Sequence, residues 1–575
     1  MGISSRASLP LASPSHSINH EYYLGVAQYQ LGLAADSVPN LRAASLLSPD
    51  SAEIHDALGQ ALMSTWDCDG AAESYRTALS LLPPGDPREL YFRARILKVS
   101  SWVSSYEGNS RDTAQLLRDL GSSPPPAVPG LSTSDFPDNV LNRLPPSTLL
   151  SLSHKYQPFS SPAPPPPAPS PSRPLRLGFP SSDWSVHPVS TLARGLISFL
   201  SDDARLSVDL FSLTPPSADF SWWQANLTAT LGEARFHDLS GMAPADGAAR
   251  IAAEKIDVLV DLNGHTYNSG LAMMAGSPAP IQLTYLGLPE TTGNSFISHF
   301  VTDALSLGLG GPAQGGAARF LEHQIVLPSP SYIANDHAQL QGHVVWRHPF
   351  RLSYDASQPT IACFSNFQKL SPTALDLYAN VLRSNPGSRL VFFEYKGHGQ
   401  AFPRLLQEFA ARGIPAHRIG SAPQQEWIAH TWRKGAFDLA LDTLEKQGHT
   451  TGLDGAWAGV PVVTLLPMSG PMVTRAGPTF QSPSGPGVAF SLKDYEAVSS
   501  SLLRDGLLRQ GAREHAAGEA GRSSGVFDAR RLAGEFGEAV RNVAEMKQLG
   551  LERLHLVVGG GQREGGGGEL ELESM

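Results

Sequence analysis

A spacing of 34 residues near the start of the chain constrains the fold more than any other feature of the sequence. Leu24-Gly25 returns as Leu58-Gly59, Ala44 as Ala78 and Pro49 as Pro83, each at that offset. Ala71 and Tyr75 fill two further expected positions of the second copy. This period belongs to a helix–turn–helix unit of the tetratricopeptide kind. Small residues fall where paired helices touch, and proline, with no N–H to give, ends the second helix. Two copies over residues 18–85 are fewer than the three or so that make a self-sufficient stack. They are expected to lean on the helices that follow.

Residues 86–120 carry a helical pattern with Trp102 as an expected core residue, and 86–160 reads as a helical connector. Pro124-Pro125-Pro126 and the stretch from Ser161 to Pro174 favour extended, unpacked chain, so 161–174 reads as a linker. Beyond it the pattern alternates. Leu175–Phe179, Leu206–Ser212 and Ile256–Leu262 read as buried strands with helical stretches between them. A second set follows at Thr360–Phe364, Arg389–Phe393, Phe437–Asp442 and Pro461–Leu465. Two sets of βα units predict two doubly wound α/β lobes, over 175–345 and 346–545. Such folds bind ligands at the carboxyl ends of their strands. The Ser-rich start, 1–17, is expected to be disordered, as is the part after Gly550 of a Gly-rich tail, 546–575.

Composition removes several classes of function. The net charge of −10 offers no basic excess to neutralise phosphates, so no nucleic-acid partner is expected. Two cysteines, Cys68 and Cys363, exclude a disulfide framework and fit a reducing compartment, cytoplasmic or nuclear. No run of about 18 apolar residues predicts a membrane span.

The strongest local signal is Leu441-Asp442-Thr443 followed by Gly448-His449-Thr450-Thr451-Gly452-Leu453-Asp454. A strand ends, a loop turns, and a helix is predicted to start near the threonines. Backbone N–H groups and hydroxyls at such a start suit a diphosphate, and the helix dipole adds about 0.3–1 kcal/mol for an anion. Asp454, one turn in, is placed to accept from a ribose hydroxyl. Taken alone, the segment is equally a Thr-capped helix with a solvated histidine.

Several ordered blocks resolve that ambiguity. Arg176-Leu177-Gly178-Phe179-Pro180-Ser181-Ser182-Asp183 through His187-Pro188-Val189-Ser190 comes first. Asp261-Leu262-Asn263-Gly264-His265-Thr266 comes second, and Ala279-Pro280-Ile281-Gln282 through Gly287 and Thr292-Gly293 third. Phe364-Ser365-Asn366-Phe367-Gln368-Lys369 and the GHTTGLD segment complete the series. Together, over about residues 18–545, they resemble the O-GlcNAc transferase family. The resemblance implies a two-lobed GT-B fold behind an all-α tetratricopeptide segment. It also implies UDP-N-acetylglucosamine as donor, protein Ser or Thr hydroxyls as acceptors, partners held through the repeats, inversion at the sugar, and no metal or other cofactor.

The same resemblance assigns the site. Lys369 matches a phosphate-contacting lysine, and Asn366 stands where the family often has Gln. His430, eight residues before Asp438, matches a uracil-contacting histidine. Gly287 matches a glycine whose backbone approaches the sugar. His449, Thr450, Thr451 and Asp454 line the donor. Asp183 and His187 match positions facing sugar and acceptor. Histidine is a residue type suited to taking a proton in catalysis, yet His187 precedes Pro188 and equally suits a loop-shaping role, so the base stays open.

The sequence departs from the family at several points. The connector histidine is missing at Phe136-Pro137-Asp138-Asn139. Gln368 replaces a tyrosine and Trp427 a lysine of animal members. Tyr285 replaces a usual Trp. Glu290 replaces a usual Gly, and its carboxylate would repel a diphosphate unless turned away. Arg475 matches, but Ala476–Gly487 is rich in Pro, Gly and Ser where a helix is expected. Two alternatives therefore stand beside the main reading: a GDP-fucose-dependent SPINDLY-type transferase, and a scaffold without activity.

Overall fold

The structure is a computed structural model. It describes residues 14–100, 106–121, 144–153, 169–215, 229–308, 319–328, 337, 359–394, 401–466, 485–517 and 525–559, less isolated positions inside these stretches. Trp102, the 124–126 proline run, 136–139, most of 161–174, Arg475 and 476–484 lie outside the described residues, as do the side chains of Gln368 and Trp427. The chain forms two compact units, one drawn mainly from residues 1–119 and the other mainly from 138–395 and 402–575.

The first unit opens with the helices α1 (Pro14–Gln30), α2 (Ala34–Leu47), α3 (Ala52–Ser64), α4 (Cys68–Ser80) and α5 (Arg88–Ser100). The repeat offset has a direct structural meaning. A Cβ on Gly25 would lie 2.7 Å from Leu41 Cγ, and one on Gly59 would lie 2.5 Å from Tyr75 Cε1. In both pairs the glycine of the first helix admits the residue 16 positions later on the second. Ala44, Ala71 and Ala78 are fully buried at the helix contacts. Ser51 accepts from Ile54 N–H and Asp67 from Gly70 N–H, capping α3 and α4.

The second unit holds two parallel sheets. The larger has the order β14-β7-β6-β5-β4-β1-β2-β3, and the smaller β10-β9-β8-β11-β12-β13. Strands β1 (Leu175–Ser181), β2 (Leu206–Ser212), β4 (Val258–Asp261) and β5 (Ile281–Thr284) centre the first. Strands β8 (Thr360–Cys363), β9 (Arg389–Glu394), β11 (Leu439–Leu441) and β12 (Val462–Leu465) centre the second. Their residues are buried almost throughout because both faces are covered. The short strands β3 (Phe236–Asp238), β6 (His299–Asp303), β7 (His323–Leu327), β10 (Ile419–Pro423) and β13 (Val488–Ala489) complete the sheets. Each sheet reverses its order once, between β1 and β4 in one lobe and between β8 and β11 in the other. Such a reversal opens a crevice at the strand ends, where ligands bind.

Two expectations about the end of the chain are corrected. The last helix, α12 (Ala529–Gln548), was assigned by its position to the second lobe but packs on the first. Phe536 lies 6.4 Å from the Phe179 ring and 5.5 Å from Tyr285, and Arg541 pairs with Asp203 at 3.2 Å. The tail was expected to be disordered after Gly550. Instead Leu556–Val557 forms β14, parallel to Ile325–Val326, with Leu556 fully buried. The apolar run Leu554–Val558 supplies what a strand needs, and β7 would otherwise be a bare edge.

Candidate active site at two strand-order reversals

In the first lobe the reversal brings the turn after β1 against the turn after β4. Asn263, fully buried, joins them. Its Oδ1 accepts from Ser182 N–H at 3.0 Å, and its Nδ2 donates to Ser182 Oγ at 2.8 Å and to Asp183 Oδ2 at 3.0 Å. Asp261 ends β4 and shapes the second turn. One of its oxygens accepts from Asn263 N–H at 3.1 Å. The other accepts from Gly264 N–H at 2.7 Å and Thr284 Oγ1 at 2.9 Å. Burial pushes Asp261 up to about 6 against these hydrogen bonds, and the Asp183 charge adds to the rise. Burial also raises Asp183, opposed by His187, Ser182 and Asn263.

His187 is the N-cap of the helix α7 (Pro188–Ser201), and its Nδ1 accepts from Val189 N–H at 3.3 Å. That same Nδ1 lies 3.4 Å from Asp183 Oδ2. A nitrogen that accepts a hydrogen bond carries no proton, so the neutral ring holds its proton on Nε2. His187 thus caps the start of α7 through Nδ1. Gly287 is demanded by the chain itself: a Cβ there would sit 2.0 Å from Leu262 O, in the turn just after β4. Leu286 beside it has φ of 69°, a region costly for a residue with a side chain.

In the second lobe the reversal brings the turn after β8 against the turn after β11. Ser365 Oγ lies 3.1 Å from Thr443 Oγ1, and Lys369 Nζ donates to Gln447 O at 3.1 Å. Asn366 opens this turn, its carbonyl accepting from Lys369 N–H. Asp442 repeats the device of Asp261. Its Oδ1 accepts from Thr443 N–H at 2.9 Å and Gly448 N–H at 2.8 Å, and its Oδ2 from Thr464 Oγ1 at 2.8 Å. Burial raises it to about 6 against these bonds and against Lys369. The helix α10 (Thr450–Trp457) starts at the threonines, with His449 as its N-cap residue. Burial and the Lys369 and Lys446 cations hold His449 down at about 3. A Cβ on Gly448 would meet Thr451 Oγ1 at 2.6 Å, which fixes that hydroxyl against the turn.

Two expected donor contacts are engaged inside the protein. His430, on α9 (Trp427–Lys434), is buried with its ring 5.0 Å from Phe393. Its Nδ1 lies 2.8 Å from Arg433, and burial with the Lys434 and Arg433 charges lowers it to about 3. Asp454 was expected to meet a ribose. In the structure its Oδ2 accepts from Lys434 Nζ at 2.6 Å and its Oδ1 lies 2.9 Å from His337 Nε2, all three residues buried. Sequence reasoning missed Asn263, Asp261, Asp442, Lys434 and His337. The first three stood inside quoted motifs; nothing local marks the last two.

Glu290 is buried, and its charge neighbour is Arg319, whose pKa burial lowers and Glu290 raises. Arg319 thus supplies a positive charge near this departure from the family.

The Arabidopsis thaliana protein named probable UDP-N-acetylglucosamine–peptide N-acetylglucosaminyltransferase SEC is 28% identical, over 71% of this chain and 42% of its own. The Solanum lycopersicum protein of that activity name called SPINDLY is 27% identical, over 51% of this chain and 30% of its own. The chain thus spans less than half the length of these curated relatives. A solved structure of a mutant O-GlcNAc transferase from Thermobaculum terrenum superimposes with a TM-score of 0.71, covering 94% of this chain and 100% of that one at 23% identity, so the fold is GT-B. The family model described as glycosyl transferase family 41 matches residues 158–357 and 347–534, and the chain belongs to that family.

Proposed function

We propose that the protein is an inverting glycosyltransferase that moves N-acetylglucosamine from UDP-N-acetylglucosamine to Ser or Thr hydroxyls of proteins. The observation that carries this reading is the second lobe's reversal point. There Lys369 and the start of the Thr450–Trp457 helix flank one turn, a pairing of cation and N–H donors that suits a leaving diphosphate. Asn366, His449, Thr450 and Thr451 belong to the same two turns and contribute polar groups to the donor. The SEC and SPINDLY names of the relatives support the donor and a peptide acceptor.

In the reaction the acceptor oxygen attacks the anomeric carbon from the face opposite the diphosphate. The bond from that carbon to the diphosphate breaks with its electron pair leaving on UDP. The hydroxyl proton goes to the carboxylate of Asp183. Burial raises this group toward the range useful for a base, and Asn263 fixes its Oδ2. His187 shapes the loop, its Nδ1 being taken by Val189 N–H. Purified protein is incubated separately with UDP-N-acetylglucosamine and GDP-fucose, and nucleotide release is assayed with a protein acceptor mixture. Release of UDP is expected. Release of GDP alone would assign the SPINDLY-type donor, and release of neither would leave a scaffold.

A further inference from the structure

We infer that Lys434 is a positioning residue for the donor, holding the start of the Thr450–Trp457 helix in place through Asp454. The inference rests on the donor reading above and deepens it.

Lys434 closes α9 and its side chain is fully buried, as is that of His337; Asp454 is 4% exposed. A lysine with no access to water is costly unless its charge is compensated. Here the compensation is one carboxylate: Nζ lies 2.6 Å from Asp454 Oδ2 and 5.3 Å from the Phe364 ring centre. Burial acts against both charges, raising Asp454 and lowering Lys434, while Lys434 and His337 together pull Asp454 well below the usual carboxylate range. Asp454 lies one turn after Thr450 and Thr451, so its anchorage fixes that first turn. The three residues come from separate places in sequence: the chain between β7 and β8, the end of α9, and the second turn of α10. The ring of Trp457, three residues after Asp454, lies 5.4 Å from His337 and 5.2 Å from Phe527, extending the contact to the approach to α12.

The chemistry explains why a charge is used here. The first turn of α10 must stand rigidly beside Lys369 for its N–H groups to meet a diphosphate, since preorganised donors cost no rearrangement on binding. An apolar packing contact would let the turn slide. A buried ion pair at 2.6 Å does not, because any displacement leaves an uncompensated charge.

The test is UDP and uridine binding to the full chain by calorimetry, for wild type, K434M and K434M/D454N, with folding followed by circular dichroism. In K434M the UDP dissociation constant is expected to rise at least tenfold while uridine affinity changes less than threefold, because the turn serves the diphosphate. If the lone buried carboxylate unfolds K434M, the double variant carries neither charge and should fold. It should show the same selective loss, the tie being absent. Wild-type UDP affinity in either folded variant, or equal losses for UDP and uridine, would overturn the positioning role. Wild type that binds no UDP would instead overturn the donor reading and this inference with it.

Discussion

The two lobes solve one problem with the same device and then diverge. Each places a buried aspartate at the end of a central strand, Asp261 closing β4 in the first lobe and Asp442 just after β11 in the second. Each aspartate takes backbone N–H groups from the following turn and a threonine hydroxyl from the next strand, Thr284 or Thr464. The neighbours differ. Asp261 feels the negative Asp183, and Asp442 feels the positive Lys369. The first turn is thereby built around a carboxylate able to take a proton, the second around a cation able to hold an anion. One scaffold yields opposite electrostatics because a single residue from the facing turn sets the sign.

The largest effect should come from the acidic side. Asp183→Asn should lower turnover about 10²–10⁴-fold, the span of general-base contributions, with UDP affinity nearly unchanged. His187→Ala should weaken donor and acceptor binding together while keeping the acidic limb of the rate profile. If His187→Ala instead abolishes that limb and Asp183→Asn does not, the roles given to the two residues are reversed.

On the cationic side, Lys369→Ala should cost about 1.5–3 kcal/mol of UDP affinity, as for hydrogen bonds to charged groups, with the fold intact. Calorimetry decides it; unchanged affinity would show that the lobes do not differ as described.

The paired aspartates can be separated by stability. In Asp261 each oxygen accepts a backbone N–H, so an amide there leaves one N–H facing an NH₂. Asp261→Asn should cost about 1–3 kcal/mol in urea unfolding. In Asp442 both N–H groups share Oδ1, and an amide can donate to Thr464 in place of Oδ2, so Asp442→Asn should cost less than about 1 kcal/mol. The pH dependence has a definite sign. A carboxyl raised to about 6 binds more protons folded than unfolded. Its stabilisation is complete below the unfolded value of about 3.9 and is lost as pH rises through 6. His430 and His449, lowered to about 3, act oppositely, losing stability as pH falls from about 6.5. Between pH 4 and 6 the two pairs oppose one another. Asp442→Asn should therefore make stability climb more steeply with pH than in wild type; a shallower climb would contradict the burial argument.

The smallest expected effect is none. EDTA should leave transfer activity unchanged, since Lys369 and the helix start supply the positive potential at the diphosphate. Loss of activity restored by Mn²⁺ or Mg²⁺ would show that the second lobe needs an ion as well.

Much of this was legible in the chain. Strand β2 was predicted at its observed bounds because Leu206, Val208, Leu210 and Phe211 mark a short buried segment between turn-forming residues. The repeat glycines announced their helix contacts, since only glycine admits Leu41 and Tyr75 so closely. The helix start at Thr450 followed from local turn chemistry. The short strands β3 and β13, of 3 and 2 residues, carry too few positions for a period to show. The Gly-rich composition after Gly550 concealed β14, whose pairing partner lies more than 200 residues earlier.

The sequence by itself determined which segments become strands and helices, and which polar residues end up in turns at strand ends, because those depend on neighbours a few positions away. Only the tertiary structure decided what those residues meet. Strand order set Asn263 against Asp183 across 80 residues, and burial turned Asp454 toward Lys434 and His337. The physical reason is that charge and desolvation act through space: a carboxylate becomes a base, a counter-ion or a turn-former according to what packs beside it, and no local pattern encodes that neighbour.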